Sequence, residues 1–205
     1  MLHAASYVEV RVSLTGLVQV CSRYMTDPST VIARVALDSE LSGEWASAVA
    51  IYLLASRPTP AARLLSSQIS EALRWDNEQL QTDLMAVADE YKRVQHGCEP
   101  KEFVTLSALV DFCAIFAHCR KGDAHQAFNL TKRLNIIPAT SEEVAVVVGE
   151  FHMVPQKVRE ILPDACLALT RCIVDYCILQ SGLKSNQNIF SQKSPLVKQV
   201  CFDQF

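Results

Sequence analysis

The chain has 205 residues, half of them hydrophobic, with 19 Lys and Arg against 22 Asp and Glu for a net charge of −3. That length suffices for one or two domains with a real core, and the hydrophobic share excludes disorder throughout. With only 6 glycines and most of its 8 prolines at plausible helix edges, the composition points to helices and away from a turn-rich β fold.

Residues 4–25 read as a first helix, with Val8, Val12, Leu14, Leu17, Val18 and Cys21 at its apolar positions. Asp27-Pro28-Ser29-Thr30 is a break followed by a cap, and a short helix is expected over 31–41. Ser42-Gly43-Glu44 is a turn. From Trp45 onward Ala48, Val49, Tyr52, Leu53 and Ser56 continue a helical stripe that Arg57-Pro58 ends. Thr59 is expected to N-cap the next helix, with Pro60 at its first position. That helix carries Ala61, Leu64, Leu65, Gln68, Ile69, Ala72 and Leu73 on one face. Trp75-Asp76-Asn77 interrupts it. Asn77 is placed to cap a further helix bearing Leu80, Leu84, Val87, Ala88, Tyr91 and Val94, which Gly97 stops.

Residues 103–138 form the clearest unit, a helix, a tight turn and a second helix. At about 100° per residue, Ser107, Asp111 and His118 fall in one narrow polar stripe of the first helix, and nearly everything else is apolar. Such a helix has neighbours on several sides. Arg120 and Lys121 suit the negative end of its dipole, Gly122 suits a left-handed C′ position, and Asp123 can cap the second helix. Ala124, Ala127, Phe128, Thr131 and Leu134 are the stripe of that second helix, and Pro138 comes after its end. Beyond it, Thr140 and Glu143 make a capping box ahead of Val144, Val147, Val148 and Phe151. Pro155 opens the next helix, Pro163-Asp164 is expected to restart or kink it, and the stretch from Ala165 to about Gly182 is very apolar.

Gly43-Glu44-Trp45-Ala46-Ser47-Ala48-Val49 echoes Gly122-Asp123-Ala124-His125-Gln126-Ala127-Phe128, a pattern that helical repeats generate. The expected fold is therefore all-α, an α-solenoid-like stack of antiparallel helical hairpins over residues 1–184, with an irregular tail over 185–205. Val8, Val12, Leu17 and Cys21 at one end, and Cys166, Leu167, Leu169, Ile173, Val174, Ile178 and Leu179 at the other, leave both ends of the stack without a polar cap. Ile189, Phe190, Leu196 and Val197 offer the second end only scattered cover. Exposed apolar patches of this kind mark interaction surfaces, so the chain is expected to be docked and not a free monomer.

Several function classes lose support on the same reading. No basic block stands out, so a nucleic-acid surface is not indicated. Trp45 and Trp75, with no basic groove beside them, read as packing anchors and not as stacking platforms. The N-terminal Met-Leu-His-Ala-Ala-Ser-Tyr is not a basic region leading into an apolar core, so the eight cysteines read as buried free thiols of a soluble chain in the cytosol or nucleus. Asp111 interrupts one apolar run, and Asp164, Arg171 and Asp175 interrupt the other, short of the ~20 residues a membrane span needs. Cys166, Cys172 and Cys177 invite a metal reading, but Cys172 points about 120° away from the other two and no Cys-x-x-Cys pair occurs. His118 and Cys119 are neighbours on a helix and diverge, His125 lies beyond the turn, and Asp111 is two turns from His118, which makes a poor nucleophile-base pair. His152 beside Met153 makes no better case. Glu142 with Glu143, and Asp89 with Glu90, are read as solvated, and no phosphate loop, His-Glu-x-x-His or Gly-x-Ser-x-Gly occurs. No catalytic residue, cofactor or metal ligand is assigned, and no enzyme is expected.

From Ser42 to Ser70, and again over Phe103-Val-Thr-Leu-Ser-Ala-Leu-Val-Asp-Phe112, Gly122-Asp123-Ala-His-Gln-Ala-Phe128 and Leu134-Asn-Ile-Ile-Pro138, the chain resembles a known family. Ser141-Glu142-Glu143 and Leu162-Pro163-Asp164-Ala-Cys-Leu-Ala-Leu169 continue the likeness, which extends over residues 30–183. The family is the nucleoporin-interacting-component family, the large inner-ring scaffold nucleoporins, and the similarity is to the C-terminal part of their α-solenoid. The resemblance implies a helical scaffold of the nuclear pore complex at the nuclear envelope. It implies contacts with other inner-ring nucleoporins, a place in nucleocytoplasmic transport and no catalysis. Members are much longer and carry an N-terminal coiled coil that recruits the central channel complex. No sustained heptads occur here, so that activity is not carried over. The resemblance implies a fragment, an incomplete gene product or a shortened homologue. The alternative is a generic helical-repeat adaptor of vesicle-coat or tetratricopeptide-like type, with a helical Cys/His hydrolase as a remote third.

Overall fold

A computed structural model describes residues 28–94, 97–138 and 140–186. The helix expected over 4–25 and the tail from residue 187 lie outside the described residues. Among the described residues there are eight α-helices, one 3₁₀ turn and no strand. The helices are α1 (Pro28–Leu41), α2 (Trp45–Leu54), α3 (Pro58–Arg74), α4 (Glu78–Val94), α5 (Pro100–Arg120), α6 (Ala124–Leu134), α7 (Ser141–Glu150) and α8 (Gln156–Asn186). The 3₁₀ turn, Phe151–Met153, lies between α7 and α8. The class is all-α and solenoid-like, as the periodicity predicts. The chain divides into two compact units, Met1–Val110 and Asp111–Phe205, the boundary falling inside α5.

In the first unit α1 packs on α2, α2 on α3 and α3 on α4, so neighbours in sequence are neighbours in space. Its core is built from Val49, Leu65, Ile69, Leu84, Val87 and Tyr91, each at most 1% exposed. Fully burying side chains of this size is worth about 1.5–3 kcal/mol each. Polar groups stitch the hairpins at their edges. Tyr91 Oη donates to the Pro58 carbonyl at 3.1 Å, and Gln81 Nε2 donates to the Ala72 carbonyl at 3.1 Å. Tyr52 Oη donates to Glu40 Oε2 at 2.9 Å.

Caps and turns match the sequence signals with some differences. Asn77 Oδ1 accepts from the Leu80 N–H at 3.1 Å, as its position before α4 predicts. Gly122 adopts φ +72° at the end of α5, the left-handed value the turn requires of it. Helix α3 begins at Pro58, not at the residue expected, because the fixed φ of proline suits the first helical position, and α1 already includes Pro28, ahead of the start expected at 31. Thr59 therefore lies inside α3 and is not its cap. Its Oγ1 accepts from the Glu99 N–H at 3.0 Å, just ahead of α5. Thr140 is the N-cap of α7, yet its hydroxyl makes no capping bond.

Burial corrects two further readings. Helix α2 does not bury one stripe: Ala46, Ala48, Val49, Ala50, Ile51 and Tyr52 are all buried, and Ser56 is exposed at φ 56° where the chain leaves the helix. Trp75 is 74% exposed at the end of α3 and is not a packing anchor, whereas Trp45 is half-buried. Pro163 does not restart the chain either, since α8 runs unbroken through it.

Helix α5 reaches back to Pro100, one turn earlier than its periodicity suggests, and at 21 residues it is long and apolar enough to cross a membrane. Half of its most apolar window is buried inside the protein, which is how a core helix meets the same test. Its polar stripe is as predicted: Ser107, Asp111 and His118 are partly exposed, while Leu106, Leu109, Phe112 and Ile115 are buried.

In the second unit α6 packs on α8. Asp123 caps α6, its Oδ1 accepting from the Gln126 N–H at 3.2 Å. Ala124, Ala127 and Thr131 are the buried face of α6. An Arg133–Asp111 ion pair at 2.7 Å ties α6 to α5. Val158, Ile161, Ala165, Leu169 and Cys172 form the buried face of α8.

Candidate interaction surface

The residues weighed for chemistry fall in separate surroundings. His118 Nδ1 lies 3.3 Å from Asp123 Oδ2 without hydrogen-bond geometry, and Asp111 is engaged by Arg133. His125 shares a hydrogen bond with Asn129 at 3.2 Å. His152 Nδ1 sits 3.0 Å from the Gly149 carbonyl. Among the described residues no three His, Cys, Asp or Glu side chains converge as metal ligands would.

The cysteine geometry differs from the expectation in one respect. Cys172 does point away from Cys166 and Cys177, into the core, where its hydrogen-bonding neighbour is the Cys119 thiol at the end of α5. Burial, then this contact, pushes Cys119 up to about 12, and burial also raises Cys166 and Cys172. Protonated thiols are weak nucleophiles and poor ligands, so burial works against reactivity in this pair. Sequence spacing gives no sign of this meeting, because the two residues sit on helices separated by α6 and α7.

What the second unit does present is apolar surface. The Pro155 carbonyl accepts from the Val158 and Arg159 N–H groups, both at 3.0 Å, and so opens α8. With one face of α8 committed to the core, Leu167, Val174 and Ile178 fall on the opposite side at i, i+7 and i+11. They are 51, 49 and 62% exposed, with Leu179 at 67%. Covering what these four side chains still expose would stabilise a complex by about 3–7 kcal/mol, at the low end of the roughly 4–15 kcal/mol that association costs. The stripe alone therefore does not hold a partner and has to belong to a wider contact.

Helix α7 is the second apolar surface. No residue of it is buried. Val144, Val146 and Val148 are 44, 58 and 68% exposed, and Met153 just beyond is 74% exposed. Four valines and Gly149 cost about 3 kcal/mol of intrinsic helix stability relative to alanine, and no residue of the helix is fully buried to offset it. The sequence pattern finds Val144, Val147, Val148 and Phe151 as a face, but it does not reveal that Val144 and Val148 stay exposed while Arg159 lies 6.0 Å from the centre of the Phe151 ring.

An all-α fold whose first four described helices pack on their sequence neighbours and whose later helices keep apolar faces open has the build of a helical-repeat interaction module. Residues 17–200 match the family model described as Nup93/Nic96, and the chain belongs to that family. It is similar to the nuclear pore complex protein Nup93 of Xenopus tropicalis, 27% identical over 152 residues, which cover 71% of this chain and 18% of that protein. The corresponding protein of Danio rerio is 24% identical over 155 residues, covering 73% of this chain and 19% of its own length. The chain thus matches about a fifth of the length of these curated relatives.

Proposed function

We propose that the chain is a structural segment of the nuclear pore complex scaffold, placed in the inner ring, where it holds other nucleoporins through helix faces and carries out no catalysis. The observation that carries this reading is the family match over residues 17–200, and the relatives are named as nuclear pore complex proteins. The open stripe of Leu167, Val174 and Ile178 supplies part of the physical means of attachment. On this reading the chain is peripheral to the nuclear envelope and reaches it through protein partners. Its contribution to nucleocytoplasmic transport is to position other components.

A tagged copy tests this by imaging and by affinity capture. Concentration at the nuclear rim with nucleoporins among the captured proteins is the expected result. The Leu167→Ser/Ile178→Ser double variant is expected to weaken capture several-fold while keeping its helical content, since both residues are exposed. An even spread through the cytosol, with no nucleoporin captured, would overturn the reading in favour of a generic helical-repeat adaptor.

A further inference from the structure

We propose that the open face of α1 is the seat of the chain's own residues 10–25, folded back as a helix antiparallel to it, so that this face is closed from within and is not offered to a partner. The contact is internal to the unit Met1–Val110 and independent of the scaffold reading. Ala36 is wholly buried on the side of α1 where α2 packs. On that side Ser29 Oγ donates to the Ala55 carbonyl and Glu40 accepts from Tyr52 Oη. On the far side Val31, Val35, Leu37 and Leu41 are 42, 48, 46 and 77% exposed. Arg34 and Asp38 lie between them, one turn apart and opposite in sign, so the face carries no net charge that would select a basic or an acidic partner. A helix apolar on two opposite sides has two neighbours. The neighbour that the described residues give α1 is α2.

The sequence that runs directly into α1 has the pattern of the second neighbour. At about 100° per residue Val10, Leu14, Leu17, Val18, Cys21 and Met25 share one side, at i, i+4, i+7, i+8, i+11 and i+15. Gln19 and Arg23 fall opposite, together with Val8 and Val12. Thr26 and Asp27 leave room for the short turn of an αα-hairpin, and α2, α3 and α4 each pack on the helix before them. In such a hairpin, residues whose numbers sum to about 54 face one another. That sets Val18 against Val35, Leu17 against Leu37 and Leu14 against Leu41, the same apolar residues that stand open on α1. Arg34 can lay its stem along this seam and keep its charge in water beside Asp38. A tethered segment also reaches the face at a roughly millimolar effective concentration, without the entropy cost of bringing in a second molecule.

The test is a double-mutant cycle on the full chain, read by urea unfolding. Val18→Ala and Val35→Ala are each expected to raise the unfolding equilibrium constant about fivefold, and together to fall short of the product of the two effects by at least about threefold. Alanine suits a helix, so weakened helix propensity does not enter. Val12→Ala, on the opposite side, should combine with Val35→Ala as a simple product. Amide exchange over residues 10–25 should be slow in the parent chain and quicken several-fold in Val35→Ser/Leu37→Ser. A Val18/Val35 pair whose effects multiply, or exchange over residues 10–25 that is unprotected or ignores the α1 variant, would each overturn the proposal. Sedimentation showing a dimer that Val35→Ser/Leu37→Ser dissolves would overturn it in favour of a second copy. All of these readouts come from the purified chain, so the scaffold reading, tested at the nuclear rim, can fail while this contact stands, and the reverse.

Discussion

Raising the pH should destabilise this protein through groups that carry no charge in the folded state. Cys113 and Tyr52 are 3 and 6% exposed. Burial pushes Cys113 from 9.0 up to about 12, with Arg120 acting the other way. Burial, then the hydrogen bond to Glu40, pushes Tyr52 from 10.0 up to about 12. Because the folded values lie above the unfolded ones, the folded chain holds more protons between pH 9 and 12. Stability is then fully present below pH 9 and is lost as pH rises toward 12. At about pH 10.5 the loss is roughly 2 kcal/mol from Cys113 and roughly 0.8 from Tyr52, about 3 kcal/mol in all. Cys119, only partly buried, adds in the same direction. A domain stable by about 5–15 kcal/mol would show this as a lowered urea midpoint, read by far-ultraviolet circular dichroism at about pH 8 and 10.5 under reducing conditions. Cys113→Ala should remove about 2 kcal/mol of the pH dependence. An unchanged midpoint between the two pH values, or a variant with the full dependence, would refute the reasoning.

Two further predictions concern local helix chemistry. Asn77→Ala removes the acceptor for the Leu80 N–H and should lower stability by about 1 kcal/mol, while Asn77→Asp should be nearly neutral. Equal urea midpoints for Asn77→Ala and the parent chain would show that this cap contributes nothing. Gly149→Ala should strengthen α7 by about 0.5–1 kcal/mol, because the site is helical, has no positive φ and is open. Amide exchange across Ser141–Glu150 should slow a few-fold in this variant, and unchanged exchange would contradict it.

The sequence carries most of the fold because each helix is marked at its ends as well as along its face. Asn77, Gly122 and Asp123 occupy the predicted cap and turn positions, and Ser107, Asp111 and His118 line the predicted polar stripe. The misplaced start of α3 has a local cause. At Pro58 the ring's fixed φ favours starting the helix, ahead of the Thr59 hydroxyl that looks like a cap in the sequence. The single stripe expected of α2 fails for a different reason. Alanines at 46 and 50 register weakly in any hydrophobic pattern, yet they are small enough to let neighbouring helices close over both sides of α2. Trp75 departs in the opposite way. Its size suggests an anchor, but it falls at the C-cap of α3, where the chain turns and no neighbour covers it.

The candidate surface is harder to read in the sequence, because periodicity says which face of a helix is apolar and says nothing about what lies against it. Helix α5 and the C-terminal half of α8 look alike as text, each apolar around most of its circumference. Buried residues ring α5, and only Val104 among its large apolar side chains stands open, at 56% exposure. Helix α8 buries Val158, Ile161, Ala165, Leu169 and Cys172 on one side, where α6 packs, and leaves Leu167, Val174 and Ile178 open on the other. A helix apolar on two opposite sides is built for two neighbours. Among the described residues α8 has the first of them. The second position is the one a partner protein fills in the scaffold reading, and Leu167→Ser/Ile178→Ser tests it without touching the side already packed.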